Sequence, residues 1–167
     1  MLLRPRISLL LVLLLLILTG CQPIQRVPQT TSAAPVANLA QIQEANKAIV
    51  AAYLNDIFLK GDLTTIEDYI APDCKIHQAF LGDLSGPEGI RSWATNYWAG
   101  FKDPSFTTTL YASGEDVVFV DWSWVATDIT NDAKQFKVER AIDFYRLKDG
   151  KIIELYDVLD TLTFSQQ

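Results

Sequence analysis

Residues 141–158 read Ala-Ile-Asp-Phe-Tyr-Arg-Leu-Lys-Asp-Gly-Lys-Ile-Ile-Glu-Leu-Tyr-Asp-Val, and their pattern is the strongest structural signal in the sequence. Apolar and polar residues alternate on both sides of Asp149-Gly150, a dipeptide typical of two-residue hairpin turns. The stretch therefore predicts two antiparallel strands, 134–147 and 151–160, joined by a tight turn.

The turn also predicts which residues of the two strands lie opposite each other. It places Asp143 opposite Asp157, and Arg146 opposite Glu154. One face is then apolar except for two carboxyl groups and a tyrosine, and it carries Ala141, Asp143, Tyr145, Leu147, Ile153, Leu155, Asp157 and Leu159. We expect helices to cover this face. The opposite face, with a cross-strand ion pair and with Ile152, should point outward.

The rest of the chain predicts helices first and strands afterwards. Helical spacing and capping patterns indicate helices at 41–60, at 64–70 and from Ser85 to Gly100. Strands are expected at 74–80, 106–112 and 117–127. The order predicts an α+β fold, in which three N-terminal helices pack on a strongly curved antiparallel sheet to form a cone with an internal pocket.

The N-terminus predicts export. Arg4 and Arg6 precede an apolar run at 7–18, which is short for a membrane span but typical of a signal peptide. The run ends in Leu18-Thr19-Gly20-Cys21, which resembles the bacterial lipobox. The resemblance implies cleavage before Cys21 and a lipid anchor on its sulfur. The alternatives are an ordinary secretory signal or a short membrane anchor, with Cys21 incidental.

The predicted organisation is a lipoprotein signal peptide at 1–20, the lipidated cysteine and a disordered tether at 21–40, and one globular domain at 41–167. The tether is rich in Pro, Gln, Thr and Ser. Gln22 resembles the sorting pattern for the outer membrane, so in a host with two membranes we expect the periplasmic side of the outer membrane.

Composition excludes several classes of function. The net charge of −6 and the absence of a basic stretch argue against nucleic-acid binding. With Cys21 lipidated, Cys74 alone cannot form an intramolecular disulfide. One His and one Cys do not make a zinc site, and no phosphate-binding or dinucleotide motif is present. We expect no metal and no cofactor; the alternative is a metal site made of carboxylates alone.

Several short motifs of the domain resemble the SnoaL-like polyketide cyclase family. They are Asn55–Asp62, Ile70–Asp73 followed by His77, Gly86–Ile90, Ile142–Arg146 and Glu154–Leu162. The resemblance covers about residues 44–165 and implies the nuclear transport factor 2-like fold. It also implies acid/base chemistry by an aspartate, as in the cyclases, or ligand binding alone. The sequence departs from the family pattern at Asp143, where the family often has His, and at Tyr156, where it often has Trp.

The facing carboxyl groups are the first catalytic candidates. Two carboxylates in a poorly solvated cavity cannot both ionise easily, so one should have a raised pKa. We predict Asp157 as general base and Asp143 as its partner or proton donor. Alternatively, a shift of one residue in the pairing would turn Asp157 to solvent and leave two unrelated acidic residues.

Two further catalytic candidates lie elsewhere. His77, the only histidine, matches a family position at the pocket and could orient a ligand or move a proton. It could equally be a structural histidine at the surface. Asp160 ends the last strand and could close the pocket mouth or cap the terminus.

Aromatic residues are the candidates for ligand binding. Trp122 and Trp124 share the strand face expected to meet the helices, and aromatic residues of the third helix should meet them. Such a lining suits a small hydrophobic ligand, although the same rings could form core alone. The predicted ligand-binding residues are Tyr53, Trp93, Tyr97, Trp122, Trp124 and Tyr145.

The sequence is compatible with three functions. The protein could be a pocket enzyme of isomerase, cyclase or hydrolase type, acting on a hydrophobic carbonyl compound. It could be a lipoprotein that binds such a ligand without turnover. It could also be a scaffold that forms a homodimer through the convex sheet face, with Ile142, Phe144 and Tyr156 at the interface.

Overall fold

The first helix is longer than its predicted length. The computed structural model describes residues 34–159, and side chains from residue 38. Helix α1, Ala34–Tyr53, continues directly into a π-helical segment, Leu54–Leu59. It starts seven residues before the predicted boundary, so 34–40 are helical and not part of a disordered tether. Proline is compatible with a first helical turn, and the alanines around Pro35 favour helix.

Two shorter connections complete the helical part. A 3₁₀ turn, Leu63–Thr65, leads into α2, Ile66–Tyr69, and Asp62 caps the turn by accepting the Thr64 N–H at 3.1 Å. Thr64, the first residue of the predicted helix at 64–70, therefore lies inside the turn. Helix α3, Gly86–Gly100, matches the prediction, although the Ser85 side chain makes no capping hydrogen bond.

The sheet has six strands in the order β2-β1-β6-β5-β4-β3. Their bounds are β1 Ile70–Gln78, β2 Gly82–Ser85, β3 Phe101–Ser113, β4 Val117–Asp128, β5 Gln135–Lys148 and β6 Lys151–Val158. Strands β3 to β6 form an antiparallel meander, but β1 runs parallel to β6. The sheet is therefore mixed, and the prediction of a wholly antiparallel sheet is wrong. No hairpin joins β1 to β6, so no turn dictates their relative direction.

The pairing of β5 with β6 confirms the predicted register. Asp143 lies opposite Asp157, and Arg146 lies opposite Glu154. Asp149 and Gly150 both have positive φ, at 51° and 76°, as a tight hairpin turn requires. A bulge at Ile153 of β6 shifts the register by one residue between the turn and Arg146, and it reverses the alternation of β6 near the turn. Ile152 is consequently buried, whereas the prediction placed it on the outer face.

The helices cover one face of the sheet, as predicted, and the main core lies between the two layers. Its fully buried members include Tyr53, Ile57, Ile76, Ile90, Tyr145 and Leu155. The other sheet face carries exposed apolar side chains, among them Ile142, Tyr156 and Val158. In residues 34–159 the fold is thus α+β, with three α-helices and a mixed six-stranded sheet.

The predicted signal peptide, Cys21 and Asp160 lie outside the described residues. No helix within 34–159 is long and apolar enough to cross a membrane.

Candidate functional site

A cavity of about 290 Å³ lies between the helices and the sheet. Among the described residues that line it, none is Lys, Arg or His, and the polar ones are Gln78, Asn96, Thr108, Asp143 and Asp157. The hydroxyl and indole groups of its aromatic residues add polar atoms. The apolar and aromatic lining is Leu54, Phe58, Phe80, Leu81, Trp93, Tyr97, Phe101, Phe106, Trp122, Trp124, Val138 and Leu159. Such a concave, mostly apolar space with a few polar groups is typical of a ligand site.

Asp143 and Asp157 meet at this cavity. They lie directly opposite each other on β5 and β6, are only 4% and 6% exposed, and are joined by a hydrogen bond between their carboxyl groups. Asp143 also accepts hydrogen bonds from the Trp122 indole Nε1 at 2.8 Å and the Tyr145 hydroxyl at 2.7 Å. The sequence-predicted pair is therefore assembled in one buried network.

Asp157 is held from the other side by β1. Its Oδ2 accepts the Gln78 Nε2–H at 2.9 Å, and the carboxyl group also accepts the Ala79 backbone N–H. These amide donors stabilise a negative charge on Asp157.

The two carboxyl groups differ in their affinity for a proton. Burial and the neighbouring Asp157 charge raise the pKa of Asp143 to about 8, although the bonds from Tyr145 and Trp122 act against the rise. Burial also raises the pKa of Asp157, and the Ala79, Gln78 and Asp143 hydrogen bonds oppose it. The pair therefore shares one proton near neutral pH, with the proton on Asp143 and the charge on Asp157.

Four of the six aromatic candidates line the cavity: Trp93, Tyr97, Trp122 and Trp124. Trp124 Nε1 donates to the Tyr97 hydroxyl at 2.9 Å, which connects β4 to α3. The Trp122 ring also packs against Phe106 of β3, with centroids 5.8 Å apart.

Tyr53 and Tyr145 do not line the cavity, so their predicted contact with a ligand is wrong. Both are fully buried, and their rings meet edge to face with centroids 6.0 Å apart. Tyr145 lies two residues closer to the hairpin turn than Asp143, where α1 covers the sheet. It reaches the site only through its bond to Asp143.

His77 lies on the opposite face of the sheet, away from the cavity. Its Nδ1 is 2.7 Å from Asp83 Oδ1, and its ring stacks on Tyr156 with centroids 4.1 Å apart. The predicted role for His77 in the pocket is therefore wrong, because Ile76 and Gln78 on either side of it point inward.

Gln78 is a polar pocket residue that the sequence analysis did not predict. A signal was present, because Cys74, Ile76 and Gln78 follow one another at the two-residue spacing of a strand face. Asn96 and Phe101 were also missed, and they lie on α3 and at the start of β3. No group of three or more His, Cys, Asp or Glu side chains that could hold a metal occurs within 34–159.

Comparison with known proteins identifies the family. The model of the SnoaL-like domain matches residues 50–155. The chain belongs to the SnoaL-like domain family. A comparison with curated proteins found no significant match.

Solved structures share the fold of this SnoaL-like domain. A candidate polyketide cyclase from Acidithiobacillus ferrooxidans is 26% identical, with a TM-score of 0.62 over 74% of this chain and 93% of that chain. IdmH, a candidate polyketide cyclase from Streptomyces antibioticus, is 24% identical, with a TM-score of 0.60 over 72% and 96%. An LEH-like epoxide hydrolase of M. tuberculosis is 13% identical, with a TM-score of 0.61 over 74% and 89%. The last two show the fold alone.

Proposed function

We propose that this SnoaL-like domain binds a small, uncharged, hydrophobic carbonyl compound and acts on it by acid/base chemistry of the isomerase or cyclase type. The observation that carries the proposal is the pair of opposed, buried carboxyl groups in an otherwise largely apolar cavity. Buried titratable pairs whose proton affinities differ are typical of acid/base sites.

The two carboxyl groups have complementary tasks. Ionised Asp157 accepts a proton from the carbon next to the ligand carbonyl. Protonated Asp143 then turns its O–H to the carbonyl oxygen and stabilises the enolate as charge develops there. Returning the proton from Asp157 to a different carbon gives isomerisation. Attack of the enolate carbon on a second carbonyl of the same molecule forms the ring, and the proton held by Asp157 passes to the new alkoxide oxygen.

The charge of the lining supports an uncharged ligand. The carboxyl pair carries one negative charge near neutral pH, and no Lys, Arg or His among the described lining residues offsets it. An anionic group would be repelled in this poorly solvated space. The cavity volume of about 290 Å³ suits a compound of two or three fused rings.

The structural relatives agree with this chemistry without fixing the substrate. The relative at 26% identity is itself described as a candidate polyketide cyclase. A strongly curved sheet closing into a cone, as the family resemblance implies, is part of this proposal.

The test uses 2-tetralone, a neutral bicyclic ketone, with the full-length chain. Binding is followed by quenching of tryptophan fluorescence, and catalysis by proton NMR of deuterium exchange at the carbons next to the carbonyl. We expect exchange above the buffer rate, its loss in Asp157→Asn, and no competition from the anion 2-naphthoate. Asp149→Asn, in the exposed hairpin turn, is the matched control.

A binding function without turnover is the alternative outcome. It would show as quenching by 2-tetralone that survives Asp157→Asn, with exchange at the buffer rate in every variant. Absence of both quenching and exchange, together with ordinary pKa values for the two carboxyl groups, would refute the proposed site.

We also propose that the domain is exported and held at a bacterial membrane by lipid on Cys21. The support is the charged start, the apolar run and the lipobox-like sequence. Two or three acyl chains are needed for a stable anchor, since one chain binds only weakly. Labelled palmitate should enter the wild-type chain, and Cys21→Ser should abolish its incorporation.

Pairing of two copies through the outer sheet face is a further part of the proposal. Ile142, Phe144 and Tyr156 lie on neighbouring strands of this face, and the Phe144 ring contacts Tyr156 at 5.6 Å between centroids. Ile142 and Tyr156 are exposed, which makes the face suitable for a symmetric contact.

A further inference from the structure

The buried side chain of Gln78 connects the carboxyl pair to the rim of the cavity. Gln78 ends β1 and is 6% exposed. Its Nε2–H donates to Asp157 Oδ2 at 2.9 Å, and its Oε1 accepts the backbone N–H groups of Phe80 at 2.7 Å and Leu81 at 2.6 Å. One amide group thus joins a catalytic candidate to the turn between β1 and β2.

The chemistry of these partners permits only one orientation of the amide. Rotating it by half a turn would place its NH₂ group against the two backbone N–H donors and its oxygen against the Asp157 carboxylate. Both contacts would be repulsive, whereas the observed orientation satisfies every group. Gln78 therefore presents a donor to Asp157 for as long as the turn keeps its conformation.

The turn that Gln78 holds forms part of the cavity rim. Phe80 and Leu81 line the cavity and are still 47% and 43% exposed. Large apolar side chains that are half exposed at a pocket opening are surfaces that a bound ligand would cover. The position of this turn therefore affects how the cavity is closed.

We propose that Gln78 is a positioning residue that keeps Asp157 the proton acceptor of the pair and, through the same amide, holds the Phe80–Leu81 turn at the cavity mouth. The proposal rests on the proposed acid/base function. A protonated Asp157 is a weaker acceptor for the Gln78 amide, so proton uptake at Asp157 loosens the turn. Proton transfer and access to the cavity become linked.

Other groups around Asp157 must be accounted for in a pH experiment. Asp143 faces it from β5, and Tyr145 acts on it through Asp143. Tyr53 contributes a buried hydroxyl from α1. Neither tyrosine changes charge near neutral pH, because burial raises both of their pKa values well above the ordinary range. Among these buried groups, the two carboxyl groups are therefore the ones that change charge below pH 9. His77 and Asp83 form an ion pair on the outer face of the same hairpin, and the Asp83→Asn control below tests their contribution.

The first test needs no variant. NMR of the full-length chain, labelled at the Asp side-chain carboxyl carbons and at backbone nitrogen, is recorded from pH 4 to 9. We expect the Phe80 and Leu81 amide shifts to change with the same midpoint as the Asp157 carboxyl carbon. If these amides are insensitive to the pH at which Asp157 titrates, the link is refuted.

Two substitutions separate the two roles of Gln78. Gln78→Leu removes both the donor and the acceptor. It should raise the Asp157 midpoint by about one pH unit and speed hydrogen exchange at the Phe80 and Leu81 amides about tenfold. Gln78→Glu keeps an acceptor for the turn but replaces the neutral amide donor by a third carboxyl group, which either adds a negative charge beside Asp157 or shares a proton with it. It should therefore raise the midpoint while leaving exchange within about twofold of wild type.

The matched control is Asp83→Asn, in the same hairpin but on the opposite sheet face beside His77. It should change neither readout. If Gln78→Leu leaves the Asp157 midpoint and the amide exchange unchanged, the proposal is wrong. If Gln78→Leu does not fold, the wild-type titration of the Phe80 and Leu81 amides decides the role of Gln78.

Ordinary midpoints of both carboxyl groups in the wild type would overturn the proposed acid/base function. The differences in midpoint and amide exchange among the Gln78 variants would still decide the role of Gln78.

Discussion

Replacing Asp143 by asparagine should change the pH dependence of the free energy of unfolding. The pKa of Asp143 is raised to about 8 in the folded protein, and an aspartate in an unfolded chain titrates near ~3.9. Between these pH values the folded protein keeps a proton that the unfolded chain has released. The stabilisation is therefore complete below pH 4 and is lost as the pH rises towards 8.

The size of the effect follows from one retained proton. The slope is about 1.4 kcal/mol per pH unit, so the wild-type free energy of unfolding should fall by about 3 kcal/mol between pH 5 and 7.5. The amide introduced by Asp143→Asn does not titrate, but it cannot accept both the Trp122 and the Tyr145 hydrogen bonds while it donates to Asp157. Losing one of them costs about 2 kcal/mol. The variant should therefore be slightly less stable than wild type at pH 5, more stable at pH 7, and equal near about pH 5.5.

The assay is urea unfolding of the full-length chain, followed by tryptophan fluorescence from pH 5 to 7.5. This window avoids the carboxyl groups of Asp56 and Asp128, because hydrogen bonds lower their pKa values and they act at more acidic pH. Asp149→Asn is the control, since Asp149 is exposed in a turn with φ of 51°, which asparagine tolerates. A flat wild-type profile, or an Asp143→Asn profile with the wild-type slope, would show that Asp143 does not retain a proton in the folded protein.

Three other predictions concern stability and assembly. Gly86→Ala should lower the free energy of unfolding by about 3 kcal/mol in urea, because Gly86 has a φ of +60° and a Cβ would lie 2.6 Å from the Pro72 carbonyl oxygen. Gly150→Ala should lower it by only about 1 kcal/mol, since φ is +76° but no atom lies within 4 Å of the added Cβ. Tyr145→Phe should destabilise the protein by about 1–2 kcal/mol in thermal unfolding, because Asp143 loses a hydrogen-bond donor. Tyr53→Phe should be neutral or stabilising by up to about 1 kcal/mol, since the Tyr53 hydroxyl is buried with no hydrogen-bond partner in the described structure. Equal losses of stability in the two variants would contradict this. Phe144→Asp should convert the proposed dimer to monomer in sedimentation velocity, while Ile129→Asp, at an exposed apolar residue in a loop, should not; a wild-type monomer would exclude the dimer.

The β5–β6 hairpin could be predicted from sequence because its determinants are local. Asp149 and Gly150 dictate the turn and the pairs beside it, Lys148 with Lys151 and Leu147 with Ile152. Continued unchanged, this register would place Asp143 opposite Tyr156. One extra residue of β6, Ile153, shifts the register so that Asp143 faces Asp157 and Ile152 is buried, and this bulge leaves no signature in the alternation.

Features that depend on distant contacts could not be predicted. The parallel pairing of β1 with β6 joins segments far apart in the chain, such as Ile76 with Leu155, and no turn connects them directly. Strand β2 is only Gly82–Ser85, is mostly exposed, and shows no alternation. The position of His77, in contrast, could have been predicted. Its neighbours Ile76 and Gln78 lie on the buried face of β1, so the alternation of a strand requires His77 to point outward. The pocket role came from the family resemblance instead.

The energetics of the carboxyl pair favour a chemical role over simple packing. Two apolar residues of similar size opposite each other on β5 and β6 would avoid the fall of about 3 kcal/mol in the free energy of unfolding between pH 5 and 7.5. The structure instead supplies Asp143 with hydroxyl and indole donors and Asp157 with amide donors, so that each carboxyl group keeps a defined protonation state. Those donors come from three different strands and converge on two carboxyl groups that line the same cavity. This network keeps the negative charge of the pair and separates the proton affinities of Asp143 and Asp157. A proton donor and a proton acceptor that act on one ligand require such a difference.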